Sequence, residues 1–516
     1  MTVGRSWRLA TAFAVVAAIA AMVAPAPAQA VSLIVNTTAD ELNSDGDCSL
    51  REAIQAANTD SAVDACPAGS GADTITFSVT GTIAVTSTLP TITTVLAIAG
   101  PGASNLTISG GGSVLVIDVE SGTLDLSNVT IASGAGYLGG GIYNHLGGTV
   151  KVANSVFSGN SSAFGGGISN EATLMVTSST FSGNSATYDG GGIFNQTGDV
   201  TVTSSTFSGN FGGEGGGIGG CGWKDVSAST FSGNSAYYGG ALGNCSTLIV
   251  TNSTLVGNSA FNYGGGIWNT AYLTLTNDTL AGNSAGINGG GVANNYTATF
   301  LNTIVANSTS PVNCVGLGTF TDGGGNLSWP DTSCPGINQD PTLGSLANNG
   351  GPTQTMALPA GSPAVDAAVL ANCPSTDQRG VARPQPAGGA CDIGAFELVQ
   401  TIPVAVDIKP GETPNVISLG KNSVIPVAVL STATFYAATV NPATVCFGDA
   451  EAPAQRDCTV APGTVLQDVN KDKRKDLILH FETQQTGIDP GDTRACLSGK
   501  LYDNTSIEGC DSIKTK

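Results

Sequence analysis

One four-residue phrase, FSGN, returns through the middle of this chain at a nearly fixed interval. It begins at Phe157, Phe181, Phe207 and Phe231. Looser copies extend it, so that its closing asparagine falls at Asn160, Asn184, Asn210, Asn234, Asn258, Asn283 and Asn307, in steps of 24 to 26 residues. A glycine-rich motif keeps pace and ends in an apolar residue: Ile168, Ile193, Ile218, Leu242, Ile267, Val292. Between the two lie short β-branched alternations such as LMVTSSTF, Leu174 to Phe181. Period-two alternation means strands, and glycine clusters mean turns. A period near 24 with several short strands suits a parallel β-helix, each repeat one coil, with equivalent residues stacked about 4.8 Å apart. An α-solenoid would need helix formers that the repeats lack.

The repeat makes residue-level forecasts. The apolar series from Ile168 to Val292 forms one inward ladder. Phe157, Phe181, Phe207 and Phe231 form another, continued by Leu255, Leu280 and Ile304. Asn144, Asn170, Asn195, Asn244, Asn269 and Asn294 follow the glycine motif and read as a hydrogen-bonded ladder, broken at Gly220. Cys221 and Cys245 each lie three residues past the apolar residue of adjacent repeats. They therefore stack within reach of a disulfide.

The other ten cysteines also fall as near neighbours: Cys48 with Cys66, Cys314 with Cys334, Cys373 with Cys391, Cys446 with Cys458, and Cys496 with Cys510. Residues 1–30 carry Arg5 and Arg8, an apolar run from Leu9 to Val23 and the cleavage-like triplet Ala28-Gln29-Ala30. They read as a secretory signal, and an even cysteine count then reads as disulfides in an oxidising compartment. No later stretch is apolar enough for a transmembrane helix. Residues 31–400 hold 24 acidic and 5 basic side chains. So acidic a body argues against nucleic acid, anionic membranes and acidic polysaccharides as partners.

Four further parts are expected around the leader. Residues 31–74 form an N-terminal cap whose helix opens at Ser49, with Glu52 three residues on as a capping box. Residues 75–310 form the all-β solenoid. Residues 311–400, richer in Pro, Cys and Asp, read as a C-terminal cap or anchor-like segment. Residues 401–516, with strand-like runs such as SVIPVAVL and DLILHF, read as a small β-sandwich.

The tandem FxxN and GGxI repeats resemble those of the polymorphic outer-membrane protein family of right-handed β-helix adhesins. The string CSLREA at Cys48 is similar to the motif that opens many bacterial β-helix surface proteins. Asn349–Ala368 and Asp377–Glu397 are similar to the choice-of-anchor segment that closes such repeats. The resemblance covers about residues 31–400 and implies an adhesive role at the cell exterior. Those adhesins end in a membrane β-barrel, for which this chain shows no pattern; secretion is the expectation here.

The same fold hosts pectate lyases and polygalacturonases, so chemistry needs a hearing. Glycoside hydrolysis asks for two carboxyls about 5–9.5 Å apart, which in a solenoid means acids at one slot of neighbouring coils. Glu171, Asp189, Asp199, Glu214, Asp225 and Asp278 read as falling in different slots. Lys151 and Lys224 are the coil lysines, and His145 reads as lone and exposed. Asn58-Thr-Asp60 resembles a polygalacturonase string but closes the cap helix. No catalytic residue is assigned on this reading. Aromatics do recur: Tyr137, Phe164, Tyr188, Tyr238 and Tyr263 precede the apolar residue by four or five positions, and Tyr143, Phe194 and Trp268 follow it by one. Tyr143, Phe194, Trp268, Tyr188, Tyr238 and Tyr263 form the candidate ligand surface, for an extracellular glycan or protein. In the terminal module, Asp468, Asn470, Asp472, Arg474 (through its carbonyl) and Asp476 have the spacing of a Ca²⁺ loop. Lys473 stands where glycine is usual, and Leu479 where an EF-hand has glutamate. The expected protein is a secreted, non-catalytic scaffold or adhesin; the alternative is a polysaccharide lyase or glycoside hydrolase of the pectin-lyase-like fold.

Overall fold

Alternation in each repeat is short because glycine, serine or asparagine interrupts it every three to five residues, so each coil breaks into four strands. In the computed structural model, which describes residues 31–420, 423–502 and 505–516, one coil runs Ile168–Asn170, Thr173–Thr177, Thr180–Ser182 and Ser185–Asp189. The leader lies outside the described residues. Stacked coils give four parallel sheets of nine, twelve, eleven and seven strands. We call them the Ile, Val, Phe and Tyr sheets in that order round the coil. All is β here except α1, Leu50–Thr59, whose N-cap Ser49 and Glu52 form the expected capping box.

Corners are made by single residues in the left-handed region. Between the Val and Phe sheets these are Asn128, Asn154, Ser178, Ser204, Ala228, Asn252, Asn277 and Asn302; asparagine tolerates this conformation best among non-glycine residues. At the glycine turn the requirement is stricter. Gly190 has φ +66, and a Cβ there would sit 2.2 Å from the carbonyl oxygen of Ile193.

The inward ladders are as the repeat requires. Ile168 pairs with Ile193, then Ile218, Leu242, Ile267 and Val292. The rings of Phe157, Phe181, Phe207 and Phe231 stack with centroids 4.7 Å apart and planes nearly parallel. The sheet spacing dictates that distance, since each ring rides on its own strand. Asn144 donates to Asn170, Asn170 to Asn195, Asn244 to Asn269 and Asn269 to Asn294. A second amide ladder runs from Asn160 through Asn184, Asn210, Asn234 and Asn258 to Asn283; each donates to the next side chain and to a carbonyl of the preceding coil. A hydroxyl ladder went unread in the sequence. The backbone N–H of Ser155, Ser179, Ser205 and Ser229 each donates to the serine hydroxyl of the next coil. Such ladders pair buried polar groups that would otherwise cost about 1–3 kcal/mol each.

The forecast slips by one residue in the last coil. Leu280 pairs with Val305, so Val305 continues the phenylalanine ladder and Ile304 faces outward. Asn307 then falls in the left-handed corner position at φ +57, one residue short of the amide ladder. The reason is that both faces of this strand are buried. Ile304 packs outward against Leu358, Ile393 and Phe396, so the hydrophobic pattern no longer tells inside from outside.

That outer layer is the segment after residue 330, which closes the solenoid and also folds back along the Phe sheet. Thr353 donates to the carbonyl of Ala228, and Thr230 to that of Gln354. Gln378 accepts from Thr254 and donates to Thr230. The Arg383 guanidinium, fully buried, binds Glu397 at 3.0 Å and the carbonyls of Asp392 and Gly394. The arginine and acids of the anchor-like segment are thus a buried polar knot.

All six expected cysteine pairs form disulfides. Cys48, just ahead of α1, is bonded to Cys66 with Cα atoms 5.0 Å apart, which ties the start of the helix to the chain that leaves it. Cys221 and Cys245 link adjacent coils at a Cα separation of 4.7 Å, the stacking distance the register requires. Cys314, in the last strand of the Ile sheet, is bonded to Cys334 of the closing segment, Cα atoms 5.1 Å apart. Cys373 and Cys391 join two stretches within that segment, at 6.6 Å. In the terminal module Cys446 is bonded to Cys458, and Cys496 to Cys510 across a pair of antiparallel strands. There two four-stranded sheets enclose a separate core that includes Val427, Phe447, Leu479, Phe481 and Leu497. Among the described residues, no helix is long and apolar enough to cross a membrane.

Candidate functional site

The glycine turn lifts the end of each Tyr-sheet strand over the Ile sheet, bringing two columns of side chains together. Four residues before the apolar residue stand Phe164, Asp189, Glu214, Tyr238 and Tyr263, paired coil to coil. One residue after it, on the outer face of the Ile sheet, stand Tyr143, Ser169, Phe194, Gly219, Gly243, Trp268 and Ala293. Their contacts are direct. Phe164 and Phe194 have centroids 5.1 Å apart, Tyr238 and Trp268 5.2 Å, Tyr263 and Trp268 5.9 Å.

Asp189 and Glu214 occupy one slot in neighbouring coils, which overturns the expectation that the coil acids are scattered. Both lie four residues before the isoleucine of their own repeat, Ile193 and Ile218; counting from that residue would have revealed the pair. Glu214 sits where the outward column is empty: a Cβ on Gly243 would lie 2.5 Å from its Cγ, and one on Gly219 would overlap its carbonyl oxygen. Its Oε1 is buried and accepts no hydrogen bond from any described residue. Burial and the neighbouring Asp189 carboxylate push its carboxyl up to about 7, against the pull of Lys224. Burial also raises Asp189, although that carboxylate accepts the backbone N–H of Glu214.

Lys224 explains the broken amide ladder. It takes the inward slot between Val200 and Leu248, a position of the apolar core, and is fully buried. Its ammonium donates to the carbonyls of Gly220 and Gly222, where a ladder asparagine would otherwise stand. The side chain that Gly220 lacks is thus replaced in space by the Lys224 ammonium. Burial lowers the lysine to about 7, and Glu214 opposes that.

The predicted surface residues divide. Tyr188 and Tyr238 are exposed, at 54% and 36%, and Tyr263 and Trp268 are half-buried. Phe194 is 8% exposed and packs against Phe164, which in turn stacks on Tyr188, so it supports the surface without being part of it. Tyr143 is committed elsewhere: its hydroxyl donates to Glu171 at 2.9 Å and its ring lies on His145. His145 is not lone. It binds Asp118 at 2.7 Å, because the turn after Asn144 returns it over the preceding coil. The cysteines stand apart from this face in role. Among the described residues none is free, so Cys66, Cys334, Cys391 and Cys458, like their partners, are cross-links and offer no thiol to a nucleophilic or metal site.

Beyond Trp268 a cleft of about 370 Å³ opens, lined by Tyr263, Trp268, Ala293, Asn295, Val315 and Leu317. In the terminal module the 468–476 stretch is a tight loop, with Lys471 and Lys473 at φ +65 and +72. Lys473 thus adopts the conformation that glycine would supply there. Asp468 accepts the amides of Asp472 and Lys473, Asn470 accepts that of Asp472, and buried Asp476 accepts those of Val469 and Ser431. The Arg474 side chain pairs with Asp472.

A family model described as the right handed beta helix region matches residues 99–280. No curated protein matches the chain. Among solved structures, the crystal structure of pectate lyase Pel9A is similar over 72% of this chain and 97% of its own, at 17% identity and a TM-score of 0.40.

Proposed function

We propose that this chain is a secreted, non-catalytic β-helix protein that presents a rigid ligand-binding face at the cell exterior, to an extracellular glycan or protein. The observation that carries this is the partly exposed aromatic group Tyr238, Tyr263 and Trp268, held on adjacent coils by the ladders beneath. Rigid aromatic rings supply contact area at low entropic cost. Six disulfides and the signal-like leader support the exterior location. A glycan array probed with the wild type and with Tyr238→Ala/Trp268→Ala tests it. Binding that the double variant loses is expected. Binding that the double variant keeps would move the ligand off this face.

A second reading, glycoside hydrolysis, is favoured by one observation: the Asp189–Glu214 pair, with Glu214 near 7, suits an acid beside a base. Release of shortened glycans by the wild type, abolished in Glu214→Gln, would establish it. We further propose that Asp468, Asn470, Asp472 and Asp476, with the Arg474 carbonyl, take Ca²⁺ after the Arg474 side chain leaves Asp472. The loop curvature and the aspartate spacing support this. Calcium is then expected to raise the melting temperature of the wild type and not that of Asp468→Ala.

A further inference from the structure

The cleft beyond Trp268 has a chemistry of its own. One wall is the ring of Trp268, braced by Tyr263, with Tyr238 on the far side of the indole. The floor is small and apolar: Ala293 follows Trp268 in the outward column, and Val315 pairs with Ala293 in turn. Leu317 stands over the opening, 98% exposed. Asn295, exposed at the rim, supplies an amide with both donors and an acceptor. An apolar ring face with an amide at its edge matches a pyranose, which presents C–H groups on its faces and hydroxyls round its perimeter.

Charge narrows the class. No lysine, arginine or histidine occurs from Asp225 to Gln378, a span that includes every residue lining this cleft. A uronate, sulfate or phosphate would find no cation there. It would instead meet the field of an acidic body, with Asp189 and Glu214 on the same face. A carboxylate brought to such a wall loses hydration without replacement.

We propose that the cleft between Trp268 and Leu317 binds an uncharged hexose or pentose ring of a neutral glycan. This rests on the ligand-face reading above and names its site and sugar class. Stacking on Trp268 supplies the affinity, Leu317 closes over the ring, and Asn295 reads a hydroxyl.

The test is a titration followed by isothermal calorimetry. The probes are cello-, xylo-, manno- and laminari-oligosaccharides, with an oligogalacturonate as the anionic counterpart. Trp268→Ala and Leu317→Asn are the variants, and Tyr436→Ala, an exposed aromatic of the terminal module, is the control. Alanine is safe for folding at 268, because the same outward slot holds Gly219, Gly243 and Ala293 in other coils. At least one neutral oligosaccharide should bind, roughly tenfold or more weakly in Trp268→Ala and Leu317→Asn, and unchanged in Tyr436→Ala. Oligogalacturonate binding as tight as neutral binding would overturn the sugar class. Neutral binding unmoved by both cleft variants would overturn the site and leave the ligand face standing. No saccharide binding at all would overturn this proposal, while a surviving protein ligand on Tyr238 and Trp268 would keep the broader reading.

Discussion

Replacing Lys224 by methionine should abolish the rise of stability with pH above neutrality. The lysine falls from its ordinary 10.5 to about 7 in the fold. A group whose charged form is disfavoured by folding costs stability wherever it is charged in the unfolded chain. For Lys224 the cost is full below pH 7, shrinks as pH rises, and is gone above about 10.5. At 1.36 kcal/mol per pKa unit the limit is about 5 kcal/mol, an order of magnitude that its neighbour Glu214 moderates. Glu214 has the opposite sign. Raised from 4.5 to about 7, it stabilises fully below 4.5 and loses that contribution as pH rises through 7. The wild type should therefore be weakest near pH 7 relative to a variant lacking both groups. Lys224→Met fits the apolar slot between Val200 and Leu248 and removes the buried ammonium. It also leaves the carbonyls of Gly220 and Gly222 without their donor, a cost of about 1–3 kcal/mol that does not vary with pH. Thermal melts by circular dichroism from pH 5 to about 10 should show Lys224→Met gaining on the wild type as pH falls from about 10 to 7, with a level difference below 7. Glu214→Gln should flatten the acid limb. A difference between wild type and Lys224→Met that is constant across this range would refute the buried-ammonium account.

Asn210→Ala should remove two acceptor contacts from Asn184 and leave the carbonyl of Phe181 unpaired; a loss of about 3–5 kcal/mol is expected, seen as local amide exchange in the coils on either side. Arg383→Met should cost about 3–5 kcal/mol at neutral pH by stranding Glu397. Burial already holds Glu397 near 7, so the loss should be smaller at pH 5, where the carboxyl is protonated; denaturant melts at the two pH values check it.

Much of the fold was legible because a solenoid repeats its instructions. Ile168 to Val292 announce an inward ladder six times, and Cys221 and Cys245 confirm the register once. The other cross-links, from Cys48 with Cys66 to Cys496 with Cys510, were legible for a simpler reason: each partner is the next cysteine along the chain, 12 to 20 residues away. Legibility failed where the environment differs from the repeat. At Ile304 the strand has two buried faces, so alternation could not set the register. Lys224 had no place in the repeat pattern, since nothing local marks a lysine that stands in for an asparagine four residues earlier. The site was half visible. Tyr238, Tyr263 and Trp268 were found by their offsets, and Phe194 was found but misplaced, because nothing in the sequence shows Phe164 packing against it. Asp189 and Glu214 share that offset, but Phe164, Tyr238 and Tyr263 fill the same slot in the flanking coils, so the column reads as aromatic.

The central claim is that the face formed by Tyr238, Tyr263 and Trp268 binds a ligand without transforming it. The most direct measurement incubates the purified protein with neutral and uronate oligosaccharides and follows both retention on the protein and product mass. The account predicts a retained, chemically unchanged oligosaccharide, with retention lost in Trp268→Ala and kept in Glu214→Gln. Shortened or unsaturated products that vanish in Glu214→Gln would contradict it and make Asp189 and Glu214 the working pair.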